Sequence, residues 1–119
     1  MFAEFACLSE IDIINCLRSY LIKGVEVTDP ETQARIFKVL SVETRVRMIG
    51  LLKRRSMCVN ALARALEITP AAISQHLRIL RDAKVVTADK QGYFVHYRVN
   101  RKTLAKWYRT TKSLLETDE

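Results

Sequence analysis

The hydrophobic residues of the N-terminal half recur three or four positions apart, which is the spacing of amphipathic helices. This spacing predicts a first helix over residues 10 to 23, a second from Pro30 to near Ser41, and a third that follows at once. Asp29 directly before Pro30 is typical of a helix start, and Ser41 is expected to cap the third helix. The basic run Lys53-Arg54-Arg55 suits the negative end of that helix.

A pair of short helices is predicted next. Apolar residues at relative positions i, i+3, i+4 and i+7 indicate one helix from Val59 to Leu66. After a tight turn, Thr69 as N-cap and Pro70 open a second helix, whose apolar stripe begins at Ile73. Two short helices joined in this way form a helix-turn-helix.

The C-terminal part is predicted to contain a hairpin and a last helix. Val85-Val86-Thr87 and residues 93 to 99 are rich in β-branched and aromatic residues, and Lys90-Gln91-Gly92 is expected to form the turn between them. The helix that follows Asn100 carries more apolar surface than a small domain easily buries alone. This surplus indicates a dimer.

The charge of the chain is unevenly distributed. Its 119 residues suffice for one core but not for two ordinary domains, and 49% hydrophobic with 28% charged residues is typical of a soluble globular protein. The net charge is +7, and because residues up to Gln33 include six acidic but only two basic residues, the remainder carries +11. A polyanion is expected to dock on that basic part.

The location and redox state follow from what the sequence lacks. No window approaches the ~20 apolar residues of a membrane span, and the start has no secretory signal pattern, so we expect a cytoplasmic protein without membrane contact. Cys7, Cys16 and Cys58 are odd in number and widely spaced. We therefore expect reduced thiols, available as ligands or sensors.

A helical wheel with Ile73 facing the core turns a small, polar and basic face of the same helix outward. Such a face suits the major groove, because Arg donates twice to guanine and Gln bonds adenine bidentately. The candidate DNA contacts on this helix are Thr69, Ala71, Ser74, Gln75, His76, Arg78 and Arg81. The predicted hairpin corresponds to the wing of a winged helix-turn-helix. Its candidate contacts, with phosphates or the minor groove, are Lys90, Gln91 and Arg98. The alternatives are a solvated helix face, solvated turn residues in the wing and, for His76, a packed and hydrogen-bonded histidine.

Four segments resemble the ArsR/SmtB family of prokaryotic winged-helix metalloregulators: LSVETRVRMIGLL (40–52), MCVNALARAL (57–66), AAISQHLRIL (71–80) and QGYFVHYRV (91–99). The third segment, with its Ser-x-His-Leu-x-x-Leu core, is the most specific, and the resemblance covers residues 31 to 115. It implies a homodimer joined by the first and last helices, in which two recognition helices enter successive major grooves of a palindromic operator. It also implies repression that a bound effector relieves.

The expected fold is mainly α, of the α+β class: a winged helix-turn-helix with a two-stranded wing and added N- and C-terminal dimerisation helices. Residues 1–28 are expected to form an N-terminal arm and dimerisation helix that can supply ligands. Residues 29–119 are expected to form the DNA-binding domain with the C-terminal dimerisation helix. The expected function is that of a homodimeric, sequence-specific repressor on double-stranded operator DNA.

The cysteines indicate the class of inducer. In thiol-sensing members of the family, the segment that resembles Met57-Cys58-Val59-Asn60 has two cysteines, whereas here Cys58 stands alone. Residues 101 to 119 contain no histidine, so a zinc site in the last helix is not expected. A related cadmium and lead sensor subgroup pairs arm cysteines with a helix-turn-helix cysteine of the opposite subunit. By this resemblance Cys7 and Cys16 meet Cys58 across the dimer, and three thiolates suit arsenite or another soft metal ion as inducer, with no cofactor required. Two alternatives remain: Cys16 packs as a small hydrophobe, and Cys58 responds to oxidation or to a persulfide.

Other classes of function have less support in the sequence. It contains no carboxylate pair, nucleophile–base pair or Gly-rich phosphate loop, so we do not expect an enzyme. A winged-helix protein-interaction module and a DNA-binding regulator with purely structural thiols remain open. Steep salt dependence of DNA affinity separates the DNA-binding function from the interaction module.

Overall fold

The computed structural model describes residues 29–118. The helix expected over residues 10 to 23, together with Cys7 and Cys16, lies outside the described residues. In the described part the elements follow in the order α1 (Pro30–Leu40), α2 (Glu43–Leu52), β1 (Met57–Cys58), α3 (Val59–Leu66), α4 (Pro70–Asp82), β2 (Val86–Gln91), β3 (Phe94–Val99) and α5 (Arg101–Leu115).

The first two helices begin with different caps. The Asp29 side chain accepts a hydrogen bond from the Glu31 backbone N–H at 3.2 Å, which confirms the predicted start of α1. The expectation that Ser41 caps α2 is wrong. Val42 occupies that N-cap position without a side-chain hydrogen bond. The Ser41 hydroxyl instead donates to the Lys38 carbonyl at 2.8 Å, at the end of α1.

The predicted helix-turn-helix is present as α3 and α4. α3 ends at Glu67, whose backbone is in the left-handed region with φ of 56° and whose N–H donates to the Ala63 carbonyl. Two residues later the Thr69 hydroxyl accepts a hydrogen bond from the Ala72 N–H at 3.2 Å. The predicted N-cap of α4 is therefore confirmed, and the turn between the helices is short.

β2 and β3 form the predicted antiparallel hairpin, but the turn is shifted along the chain. Lys90 and Gln91 are not turn residues, because β2 continues through both and pairs them with β3. The reversal occurs at Gly92 and Tyr93, where Gly92 has a φ of +65° that favours glycine. β1, which was not predicted, adds to the other edge of β3 and gives the sheet order β1-β3-β2.

α5 is held at its start and in its last turns. The Asn100 side chain accepts hydrogen bonds from the N–H groups of Lys102 and Thr103, which confirms the predicted beginning of the last helix. Farther along, the Gln33 side-chain amide donates to the Thr110 carbonyl at 3.3 Å. This bond ties α1 to α5.

The core lies between α2, α3, α4 and the base of the sheet. Its largest fully buried side chains are Met48, Leu62, Ile73, Leu77, Leu80 and Val85. Because α4 places its apolar stripe in this core, its opposite face is turned to solvent. The predicted α+β winged helix-turn-helix fold is confirmed. Among residues 29–118 no helix has the length and apolar character that a membrane crossing needs.

Candidate DNA-binding surface and thiol site

The outward face of α4 lines an open groove of about 580 Å³, which we call the recognition groove. The polar and aromatic residues that line it are Ser74, Gln75, Arg78, Arg81, Asp82 and Tyr97. Four residues predicted on this helix are therefore brought together. They present a hydroxyl, an amide and two guanidinium groups, which are donors suited to base edges and phosphates.

Tyr97 was not among the predicted contacts. It lies on β3, where it pairs with Met57 of β1 and Ala88 of β2. Val99 lies two residues farther along β3 and pairs with the buried Val86, so Tyr97 is on the face of the sheet turned toward the core and α4. The alternation of side chains along the strand would have placed it there, had the pairing been known.

The other predicted residues of α4 have different surroundings. Ala71 is exposed in the first turn. The hydroxyl oxygen of Thr69 accepts the N-cap hydrogen bond, and its hydrogen can still be donated to a ligand. His76 is half-buried, in agreement with a packed position. However, its Nδ1 is buried and accepts or donates no hydrogen bond among the described residues. The expectation of a hydrogen-bonded histidine is therefore not met at Nδ1.

The predicted wing residues do not form one group. Lys90 and Gln91 are exposed at the end of β2, beside the turn. The fully exposed Tyr93 and the largely exposed Phe94 belong to the same tip. Arg98 lies at the other end of β3, in a separate groove against the first turn of α5 and the segment between α2 and β1.

Cys58 lies where the sheet joins the helix-turn-helix. It is the last residue of β1 and the N-cap of α3, half-buried and with a free thiol. Across the sheet it pairs with His96 of β3, which in turn pairs with Asp89 of β2, so the three residues form a row on one face. The His96 Nδ1 is buried and has no hydrogen-bond partner in the described part of the chain. The two-residue strand β1 carries no pattern of its own, so the sequence did not indicate this neighbour.

The described residues do not by themselves complete a metal site. Within residues 29–118 no group of three or more His, Cys, Asp or Glu side chains is arranged to hold a metal ion. Cys58 supplies one thiol, and the expected partners Cys7 and Cys16 lie outside the described residues. A three-thiolate site therefore requires the N-terminal segment.

Comparison with known proteins gives consistent matches. The family model described as "Bacterial regulatory protein, arsR family" matches residues 43–88. The transcriptional repressor SdpR of Bacillus subtilis is 35% identical over 65 residues, which are 55% of this chain and 72% of SdpR. The arsenical resistance operon repressor of Escherichia coli K12 is 39% identical over 67 residues, 56% of this chain and 57% of that repressor. An ArsR-like transcriptional regulator from Rhodococcus sp. RHA1 has a TM-score of 0.63 and 32% identity, covering 69% of this chain and 77% of that one.

The fold and the exposed face of α4 define a winged helix-turn-helix protein. The chain belongs to the ArsR family of bacterial transcriptional regulators. This is a family of DNA-binding regulators and not of enzymes, so the predicted family and the predicted non-enzymatic role are both confirmed. The chain spans a little over half the length of the Escherichia coli repressor that it matches.

Proposed function

We propose that this protein is a homodimeric cytoplasmic repressor that binds operator DNA through α4 and the wing and is released by a thiol-binding inducer at Cys58. The observation that carries the proposal is the recognition groove. Gln75 and Arg78 project into it from an exposed helix face and make no hydrogen bond or ion pair with the residues that the structure describes. Their donors are free for a ligand.

The DNA contacts divide by chemistry. Arg78 can donate twice to guanine and Gln75 can bond adenine on two atoms, so these residues supply sequence reading, with Ser74 and Ala71 permitting close approach. We expect Arg81 and, at the wing tip, Lys90 with Gln91 to contact phosphates or the minor groove. Thr69 and His76 remain secondary candidates in the first two turns of α4. Binding of this kind needs no cofactor.

Dimerisation is supported by apolar side chains that the described part leaves uncovered. On α5, Tyr108 is 63% and Leu115 is 69% exposed, and Phe37 of α1 is 39% exposed. A second copy of the chain is the partner we propose for this surface, since two-fold related subunits place two recognition helices on a palindrome. In this proposal residues 1–28 add a further dimerisation helix and a ligand arm to the domain formed by residues 29–119.

The position of Cys58 provides a route from inducer to DNA. A group bound to its sulfur lies at the N-terminus of α3, which packs on α4, and at the strand that pairs with the wing. A displacement of about 1–2 Å at such a junction changes the separation of two recognition helices. A coupling of roughly 1–3 kcal/mol would weaken DNA binding about 5- to 150-fold.

Arsenite or another soft metal ion is the inducer we propose, held by Cys58 with Cys7 and Cys16. The proposal is supported by the name of one relative, an arsenical resistance operon repressor, and by another, a cadmium resistance regulatory protein CadC homolog of Staphylococcus aureus. Oxidation or persulfidation of Cys58 alone is the second candidate, because no other described residue completes a metal site with it.

The experiment is fluorescence anisotropy of the reduced protein on DNA from its own upstream region at fixed salt, with arsenite, cadmium, zinc and a persulfide donor added separately. We expect binding, and release by a soft thiol-binding agent but not by zinc. Cys58→Ser should bind DNA normally but no longer be released from it by any of the agents. If a persulfide also acts at Cys58, Cys7→Ser and Cys16→Ser should lose the response to metal ions and keep the response to the persulfide donor.

Each part of the proposal fails on a different result. Normal induction of Cys58→Ser excludes Cys58 as the sensor. DNA binding that no agent reverses leaves a repressor with structural thiols. Failure to bind DNA, or affinity that does not fall steeply with salt, favours a protein-interaction module.

A further inference from the structure

Five basic side chains converge on a second groove, of about 520 Å³, which we call the cationic groove. They come from three places: the segment between α2 and β1, the end of β3, and the first turn of α5. The five residues are Lys53, Arg54, Arg55, Arg98 and Arg101. Of these, Arg98 was predicted to act with the wing, and the run from Lys53 was predicted only to end a helix.

Within residues 29–118, no ion pair neutralises the charge of the cationic groove. None of its five basic residues forms an ion pair within residues 29–118, and no Asp or Glu lines it. The ion pairs of the described part are elsewhere, between neighbouring turns of single helices. Five positive charges around one groove repel one another, and an anion bound between them would offset that repulsion.

The cationic groove and the recognition groove share no lining residue, and the cationic groove lies at the end of β3, where both Arg98 and Val99 line it. Tyr97 lines the recognition groove, while the next residue of β3, Arg98, lines the cationic groove. Successive side chains of a strand point to opposite faces. The Arg98 side chain therefore points away from the sheet face that carries Tyr97, and we expect the cationic groove to take its phosphates from DNA outside the segment that α4 contacts.

We propose that the cationic groove binds the phosphate backbone of a second DNA segment, which flanks the operator. All five basic side chains are exposed and long, and Ser56 is the one lining residue with a neutral polar side chain. This composition is typical of sequence-independent phosphate contacts. The inference rests on the proposed binding of operator DNA by α4.

The test compares two duplexes that share the operator. The short duplex has about 24 base pairs, enough for two half-sites one helical turn apart. The long duplex has about 20 further base pairs of unrelated sequence on each side, enough to bend toward the protein. The full chain and its triple variant Arg54→Gln/Arg55→Gln/Arg101→Gln are titrated on both duplexes over a range of salt.

We expect the triple variant to bind the short duplex as the native protein does and the long duplex more weakly, by about fivefold at 0.15 M salt for each phosphate that is no longer bound. The slope of log affinity against log salt on the long duplex should fall by about 0.9 for each such phosphate. The matched control, Arg47→Gln/Arg64→Gln/Lys84→Gln, removes the same charge from exposed positions that line neither groove and lie outside α1 and α5, and it should leave the difference between the duplexes intact.

Three results overturn the inference. In the first, the triple variant binds the long duplex as tightly as the native protein. In the second, it loses affinity equally on both duplexes. In the third, sodium tripolyphosphate changes the affinity of the native protein for the short duplex but not that of the triple variant, which assigns the cationic groove to a small anion. If the native protein does not bind the short duplex, the proposed function itself fails, and that result is distinct from all three.

Discussion

Replacement of Arg78 by alanine tests whether α4 reads base edges. The side chain is exposed, lines the recognition groove and forms no ion pair with residues 29–118, so its removal should change the free energy of unfolding by less than about 0.5 kcal/mol. A bidentate arginine–guanine contact contributes about 1–3 kcal/mol of discrimination. Two such contacts in a homodimer amount to about 2–6 kcal/mol, which corresponds to affinity for the operator that is about 30-fold to about 20,000-fold lower.

The assay measures the dissociation constant on the operator and on a scrambled duplex of the same length, at one salt concentration. We expect Arg78→Ala to lose affinity mainly for the operator, so that the ratio of the two constants collapses. Arg78→Lys keeps the charge but not the planar pair of donors, and it should retain scrambled binding without restoring the ratio. Arg35→Ala on the exposed face of α1 is the control for loss of one positive charge.

Equal weakening on both duplexes would refute the reasoning, because it would make Arg78 a phosphate contact. Native specificity in Arg78→Lys would likewise exclude a bidentate contact. In either case α4 could still approach DNA, but the sequence reading would have to come from Gln75, Ser74 or the wing.

Three other substitutions test separate parts of the molecule. Leu62→Ala, at a fully buried position, should lower the free energy of unfolding by about 2–5 kcal/mol in a urea titration, and a loss below about 1 kcal/mol would contradict the assigned core. Thr69→Ala removes the N-cap of α4 and should lower the free energy of unfolding by about 1 kcal/mol. Thr87→Ala is the control, and equal stability of the two variants would argue against the cap. Asn60→Cys adds a second thiol two residues from Cys58, so arsenite should release DNA at a lower concentration, and an unchanged half-release concentration would place the arsenite site elsewhere.

The helices were predictable because their signals are local. Asp29 and Thr69 each accept a backbone hydrogen bond from two or three residues ahead, and such contacts can be inferred from adjacent letters of the sequence. Ser41 shows where this reasoning fails. The same hydroxyl can cap the following helix or bond back to the preceding one, and here the carbonyl of Lys38 is the acceptor.

The sheet was predicted less completely because strand pairing joins distant residues. β1 has two residues and no alternation, so nothing in the local pattern places Cys58 opposite His96. The position of Arg98 likewise depends on which face of β3 it occupies, and a shift of one residue in register would exchange it with Tyr97. Helix-based residues of the recognition groove were therefore identified, and the residues that β3 contributes to either groove were missed or misplaced.

The same distinction explains why the DNA-binding half of the proposed function is better defined by this chain than the inducer-binding half. In the proposal, one continuous helix contacts the bases, and spacing along α4 alone brings four side chains with hydrogen-bond donors to one face. A metal-ion inducer at Cys58 needs ligands from other segments or from a second subunit, and residues 29–118 supply no complete set. Cys58 ends β1 and is the N-cap of α3, however, so a group bound there would adjoin both the strand that pairs with β3 of the wing and the helix that packs on α4. The proposed coupling to DNA thus rests on the position of the thiol, and we expect it whichever thiol-binding agent acts there.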